Sequence, residues 1–153
     1  MIKNYTVEME NSVTLSTKSI GEIKTLHSFL VFPEDMNYGG TLFGGKMLAE
    51  MDRAALKAAR RVLYGTGCDG AVTVSLDKVD FKKPAHLGDI IEIEAKVTRL
   101  GTTSIEIYVH VSKENHEGKV ETICDACFVF VAVKNGKPYA HGCVPEGKAV
   151  GAI

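Results

Sequence analysis

The residue whose position most invites a chemical reading is Asp52. Between Lys46 and Tyr64, apolar residues at Leu48, Met51, Ala55, Ala58, Ala59 and Val62 recur at the spacing of one helical face. Lys46, Glu50, Arg53, Lys57, Arg60 and Arg61 fall on the opposite face. With Leu48 at 0° and about 100° per residue, Asp52 comes near +40°, inside the apolar arc. An unpaired carboxylate buried there costs several kcal/mol or raises its pKa, and is tolerated where the group is useful. The other reading is an aspartate at the edge of the stripe, capping a loop or pairing with Arg53 or a partner chain.

The segment just before the helix adds a second chemical feature. Asn37-Tyr38-Gly39-Gly40-Thr41-Leu42-Phe43-Gly44-Gly45 runs directly into the helix start. Glycines there let a ligand approach the backbone, and the free N–H groups and helix dipole favour negative charge. Such a site can stabilise the oxyanion of a polarised carbonyl. It can also be a tight turn that only needs glycine.

Other reactive side chains carry less. Cys124 and Cys127 have redox spacing but sit in a strand pattern, with no helix start to lower a thiol pKa and no second pair to complete a zinc site. His27, His86, His110, His116 and His141 show no metal-ligand spacing, so no metal is expected. Lys82, Lys83 and Arg99 lie at strand ends, where they could meet phosphates or simply be solvated; the Arg99 guanidinium is the best phosphate partner of the three.

These residues need a scaffold, and the chain is long enough for one. Its 153 residues predict a single domain. With 18 Lys+Arg against 19 Asp+Glu, it lacks the basic footprint of a general nucleic-acid binder. No apolar run approaches the ~20 residues that span a bilayer, and the N-terminus has no secretory apolar core. A cytoplasmic location with four free thiols is the expectation.

Leu26 to Phe32 reads as a short strand stopped by Pro33. After the helix, closed by Gly65 and Gly67, the apolar period changes from 3.6 to 2. Val72, Val74 and Leu76 alternate, then Val79 and Phe81 continue in opposite phase, predicting a bulge near Asp77–Lys78. Strands follow at Ile91–Val97, Ile105–Val111 and Val120–Val133, the last apolar on both faces and therefore interior. Short turns between them force antiparallel pairing. The fold class is α+β: a long antiparallel sheet wrapped around one central helix. Residues 1–20 form an arm, 21–134 the domain, and 135–153 an unpatterned tail.

Three ordered motifs resemble those of hotdog-fold acyl-CoA thioesterases, the YciA-like and cytosolic acyl-CoA hydrolase group. They are Asn37-x-x-Gly40-x-x-Phe43-Gly44-Gly45-x-Met47-x-x-x-Met51-Asp52, Phe81-x-x-Pro84-x-x-x-Gly88-Asp89, and Arg99-x-Gly101-Thr102-Thr103-Ser104. The likeness spans roughly residues 22–134. Gly39 and Thr41 stand where that group commonly carries Asn and Asp.

The resemblance implies hydrolysis of acyl-CoA to free acid and CoA, with no cofactor beyond the CoA of the substrate. It implies Asp52 as general base or nucleophile, and Gly44 and Gly45 N–H groups on the thioester carbonyl. It also implies Asn37 acting across to the Asp52 of a partner subunit. Arg99, Thr102, Thr103, Ser104 and Phe43 become the expected CoA and substrate contacts. Self-association as a dimer, and as a trimer of dimers, is expected, without nucleic-acid or membrane partners. The competing readings are a non-catalytic acyl-CoA-binding hotdog protein and a dehydratase; the latter usually wants a helix histidine, which Lys46–Tyr64 lacks.

Overall fold

The computed structural model describes residues 6–8 and 14–145. The arm's sequence alternates at Val7 and Met9 and again at Val13 and Leu15, of which Met9 and Val13 lie outside the described residues. The elements are β1 (Thr6–Glu8), β2 (Thr14–Lys18), β3 (Lys24–Leu30), α1 (Gly44–Leu63), β4 (Gly70–Phe81), β5 (Ile90–Leu100), β6 (Ser104–Glu114), β7 (Val120–Lys134), β8 (Lys137–Pro138) and β9 (Cys143–Pro145). The main sheet is antiparallel in the order β3-β5-β6-β7-β4, with β8 paired to β7. It curls around α1. β7 is flanked on both sides, as its two apolar faces predict.

The core lies between sheet and helix. Ile91, Ile93, Ala95 and Val97 of β5 and Ile105, Ile107, Val109 and Val111 of β6 are buried, the phases expected from their alternation. Phe128 and Phe130 of β7 stack at 6.5 Å between ring centroids. Each fully buried large side chain contributes roughly 1.5–3 kcal/mol. The helix meets this layer through Ala54, Ala55, Ala58 and Ala59, all fully buried. Small residues permit a close approach, and Thr25 Oγ1 of β3 donates to Ala54 O at 2.8 Å.

Two expectations about α1 need correction. Its buried set, which includes Met47, Met51, Ala54, Ala58 and Val62, centres about 60° round from Leu48. Leu48, Asp52 and Leu56 therefore form a half-buried row at the border of the core. Glu50, expected on the solvent face, is only 5% exposed. It is buried because β3 covers that side and supplies a partner: His27 Nε2 lies 2.8 Å from Glu50 Oε2, while Lys46 and Arg53 donate to Oε1 at 2.9 and 2.8 Å.

Burial opposes the Glu50 charge, but hydrogen bonds from Lys46 and His27 and the charges of Lys46 and Arg53 outweigh it and hold the carboxyl below its ordinary pKa. Ionised Glu50 thus stabilises the fold fully above the unfolded pKa of about 4.3, and loses that contribution as pH falls through the lower folded value. Arg53 is 70% exposed and screened by solvent. Glu50→Gln is therefore expected to cost about 1–2 kcal/mol at pH 7. Urea unfolding at pH 7 and pH 4 checks this: the gap between the two proteins narrows in acid.

β4 carries the predicted bulge, with a register shift between Asp77 and Asp80 and Lys78 at φ 52°. It carries a second shift between Thr73 and Ser75. That shift places Thr73 opposite Phe130 and Leu76 opposite Phe128, so both face the helix side. β4 is the last strand of the sheet, and Val72, Val74, Leu76 and Phe81 are exposed along it.

The 135–153 segment is less irregular than its sequence suggests. β8 pairs with β7, and β9 pairs in parallel with β2, so that a strand of the arm and a strand of the tail lie together. Cys143 and Val144 are buried there.

Candidate active site

The loop before α1 is built by Asn37. Its Oδ1 accepts the N–H groups of Gly39 and Thr41 at 2.9 and 3.1 Å, and its Nδ2 donates to Thr41 Oγ1 at 2.9 Å. Asn37 N–H donates to Thr41 O, and Gly40 takes φ +83°, which a side chain would strain. Asp35 closes the base: its carbonyl accepts Phe43 N–H at 2.8 Å and its carboxylate accepts Phe32 N–H at 3.0 Å. Tyr38 is left fully exposed at the tip.

No side chain caps α1. Phe43 N–H is used by Asp35, and the first intrahelical bond is Met47 N–H to Phe43 O. The Gly44 and Gly45 N–H groups between them point out of the helix end, as an oxyanion site requires. Of the two glycines, Gly45 leaves no room for a side chain, whereas Gly44 has ordinary space. A Cβ on Gly45 would come within 2.5 Å of the Phe43 ring, and one on Gly44 would meet the Phe81 ring at 3.8 Å. Phe43 is half-exposed and lies over Gly45. A cleft of about 250 Å³ opens beside Gly44, walled by Leu42, Met47, Phe81 and Pro84.

Asp52 occupies a different place. Its Oδ1 accepts a 2.7 Å hydrogen bond from Thr73 Oγ1 of β4. Thr73 is a site residue that sequence reasoning missed, because the uninterrupted alternation of Val72, Val74 and Leu76 assigns it to the solvent phase. Asp52 is eight residues along the helix from Gly44, a rise of about 12 Å. Within one chain, then, Asp52 and the Gly44–Gly45 amides cannot act on one carbonyl. Asn37 belongs to the Gly44 end.

The Arg99–Ser104 turn joins β5 to β6 at the Asp52 end. Thr73, Phe130, Ile105 and Leu100 form one row across the sheet. The turn is thus two to three strand spacings, about 10–14 Å, from Thr73. Arg99 is exposed, after a register shift that follows Val97. The carbonyls of Thr102, Thr103 and Ser104 all accept hydrogen bonds, from His141, Ala132 and Gly101 N–H respectively.

Lys82 and Lys83 are not free for a ligand: Lys82 donates to Asp125 at 2.7 Å and Lys83 to Glu121 at 3.2 Å. The cysteines are free thiols. Burial pushes Cys124 up to about 11, and burial with the neighbouring Glu106 raises Cys127, so neither is a nucleophile near neutrality. Among the described residues no cluster of His, Cys, Asp and Glu is arranged to hold a metal, and no helix is long and apolar enough to cross a membrane.

The comparisons with known proteins agree with the fold and motifs. The family model described as thioesterase superfamily matches residues 39–120. The chain is 40% identical over 128 residues to an uncharacterized acyl-CoA thioester hydrolase, YkhA, of Bacillus subtilis, covering 82% of this chain and 72% of that one. It is similar to the solved structure of an apo-hexameric acyl-CoA thioesterase, at TM-score 0.74 and 37% identity over 81% of this chain and 78% of that one. An acyl-CoA hydrolase from Staphylococcus aureus, solved with butyryl-CoA, CoA and CoA disulfide, matches at TM-score 0.73 and 34% identity, covering 86% and 80%.

Proposed function

The chain belongs to the thioesterase superfamily of hotdog-fold enzymes, and from that premise we propose that it hydrolyses acyl-CoA thioesters to free acid and CoA at a site shared between two antiparallel copies. The observation that carries the shared site is the separation of about 12 Å between Asp52 and the Gly44–Gly45 amides on one helix. A two-fold axis beside β4 resolves it. Antiparallel copies place the Asp52 end of one against the Asn37–Gly45 end of the other. β4 is suited to that contact: it is an unpaired edge strand with apolar side chains exposed along its length, the kind of edge that a partner strand completes. The relatives named acyl-CoA thioester hydrolases support the substrate class.

In this arrangement the thioester carbonyl lies on the partner's Gly44 and Gly45 N–H groups, which stabilise its oxyanion. Asp52, held by Thr73, takes a proton from water as that water attacks the carbonyl carbon, or attacks the carbon itself to form an acyl-aspartyl anhydride that water then hydrolyses. The C–S bond breaks, and CoA leaves as the thiol after taking up a proton. The apolar walls of the cleft beside Gly44 suit the acyl chain. The Arg99–Ser104 turn lies on the same side of the composite site as Asp52. The extended pantetheine arm reaches from thioester to phosphates there, with Arg99 as a bidentate phosphate partner and Thr102, Thr103 and Ser104 as hydroxyl donors. Association of three such dimers would give the hexamer seen for the solved relatives.

Thiol release from a panel of acyl-CoA esters tests the activity. Arg99→Ala is expected to raise KM for every ester by about tenfold while changing kcat little, since the phosphates are remote from the bond that breaks. An unchanged KM would remove Arg99 from the site.

A further inference from the structure

The turn that the proposed function gives to CoA is gripped from outside the domain core by one buried histidine. His141 follows β8 and is 4% exposed. Its backbone N–H donates to Thr102 O at 3.2 Å. Its ring Nδ1 accepts Cys143 N–H at 2.9 Å, and its Nε2 lies 3.1 Å from Ser104 O. An N–H aimed at Nδ1 requires a lone pair there, so the neutral ring carries its proton on Nε2 and donates it to Ser104 O. One side chain thus joins the start of β9 to the turn, and two of the turn's three carbonyls depend on the same residue.

We propose that His141 is a positioning residue for CoA binding: it clasps the C-terminal strand onto the Thr102–Ser104 turn and holds that turn in the form that receives the CoA phosphates. This rests on the reading of the turn given above. A second proton on Nδ1 would face the Cys143 N–H, donor against donor, and open the clasp. Burial holds the ring below the ordinary histidine pKa, opposed by the carbonyls of Ser104 and Gly101. The titratable groups nearby are Cys143, which His141 contacts and whose thiol burial pushes up to about 11, with Lys18 and Cys68 acting on that thiol in opposite directions. A histidine pKa lowered by folding means the clasp is complete above about 6.5 and opens as pH falls through the folded value below it.

The test uses the full chain as wild type, His141→Phe, His141→Asn and Arg99→Ala, with kinetics on a short acyl-CoA and calorimetry with CoA itself from pH 5 to 8. His141→Phe is expected to raise KM and the CoA Kd by about tenfold at pH 7.5 with kcat within about twofold, the scale of one lost hydrogen-bonded contact. His141→Asn, whose Oδ1 can replace Nδ1, recovers part of the affinity. The wild-type KM rises on the acid side of about 6.5 as the folded ring takes up its proton, while that of His141→Phe stays flat. If His141→Phe does not fold, the Asn variant and the wild-type pH profile decide. A flat wild-type KM across the range, or a folded His141→Phe with unchanged KM, overturns the clasp. If Arg99→Ala raises KM and His141→Phe does not, the clasp alone fails; if neither does, the assignment of the turn to CoA fails with it.

Discussion

Asp52→Asn is expected to lower kcat by about 10²–10⁴-fold, the span that a general base contributes. The change keeps the shape of the side chain, and an amide can still accept the hydrogen bond from Thr73 Oγ1. It removes basicity and charge. Asp52 lies at the border of the core, half-buried, with no neighbour that needs its charge among the hydrogen bonds it makes. Stability is therefore expected to change by less than about 1 kcal/mol. Affinity for CoA is expected to hold, because the turn is about 10–14 Å away, two to three strands across the sheet. Circular dichroism, thiol release and CoA calorimetry on one preparation separate the outcomes. A variant that unfolds would make Asp52 structural, and one that hydrolyses at the wild-type rate would remove it from the chemistry. Single turnover in ¹⁸O-water distinguishes its two roles, since a nucleophilic carboxylate leaves label in the enzyme and a general base leaves it only in the acid.

The second large effect is complementation between inactive chains. Asn37→Ala deletes the acceptor that holds the Gly39 and Thr41 amides, and is expected to inactivate the enzyme by releasing the loop beside the oxyanion site. Asp52→Asn inactivates the opposite end of the same helix. In a two-fold dimer with shared sites, mixing the two variants makes hybrids in which one site carries both lesions and the other carries neither. At equal mixing, half the dimers are hybrids and about a quarter of all sites are intact, so activity recovers to about a quarter of wild type. Sites confined to single chains would recover nothing. Light scattering on the mixture, together with an active monomer fraction if there is one, completes the test of the β4 edge as the interface.

The elements that repeat a clean period were legible without coordinates. The helix was readable because its charges and alanines sort by 3.6. β5 and β6 were readable because Ile91–Val97 and Ile105–Val111 alternate without interruption. The bulge at Asp77–Lys78 was readable because the apolar phase visibly changes there. β4 also contains the point where reading fails. Val72, Val74 and Leu76 alternate through a second shift that leaves no mark in the pattern, and Thr73 is turned toward Asp52 by it. A bulge adds a residue to one strand, and only the partner strand's register reveals it.

The sequence by itself determined the fold class, the one central helix, the order of the long strands and the family, because hydrophobic period and ordered motifs are local properties of the chain. Only the tertiary structure decided that Glu50 is buried, because β3 supplies His27 as a partner that no spacing within the helix discloses. Only it decided that Asp52 borders the core rather than lying in it, because the packing direction of a helix depends on which sheet face it meets. The distance between Asp52 and the Gly44–Gly45 amides follows from helix geometry alone. That distance, together with the open edge of β4, is what supports the proposal that the chemistry comes from two chains. The joining of tail to turn through His141 was hidden for the same reason: it links residues 37 positions apart, one of them in an aperiodic tail, through a buried ring whose partners are backbone carbonyls and amides that every residue possesses.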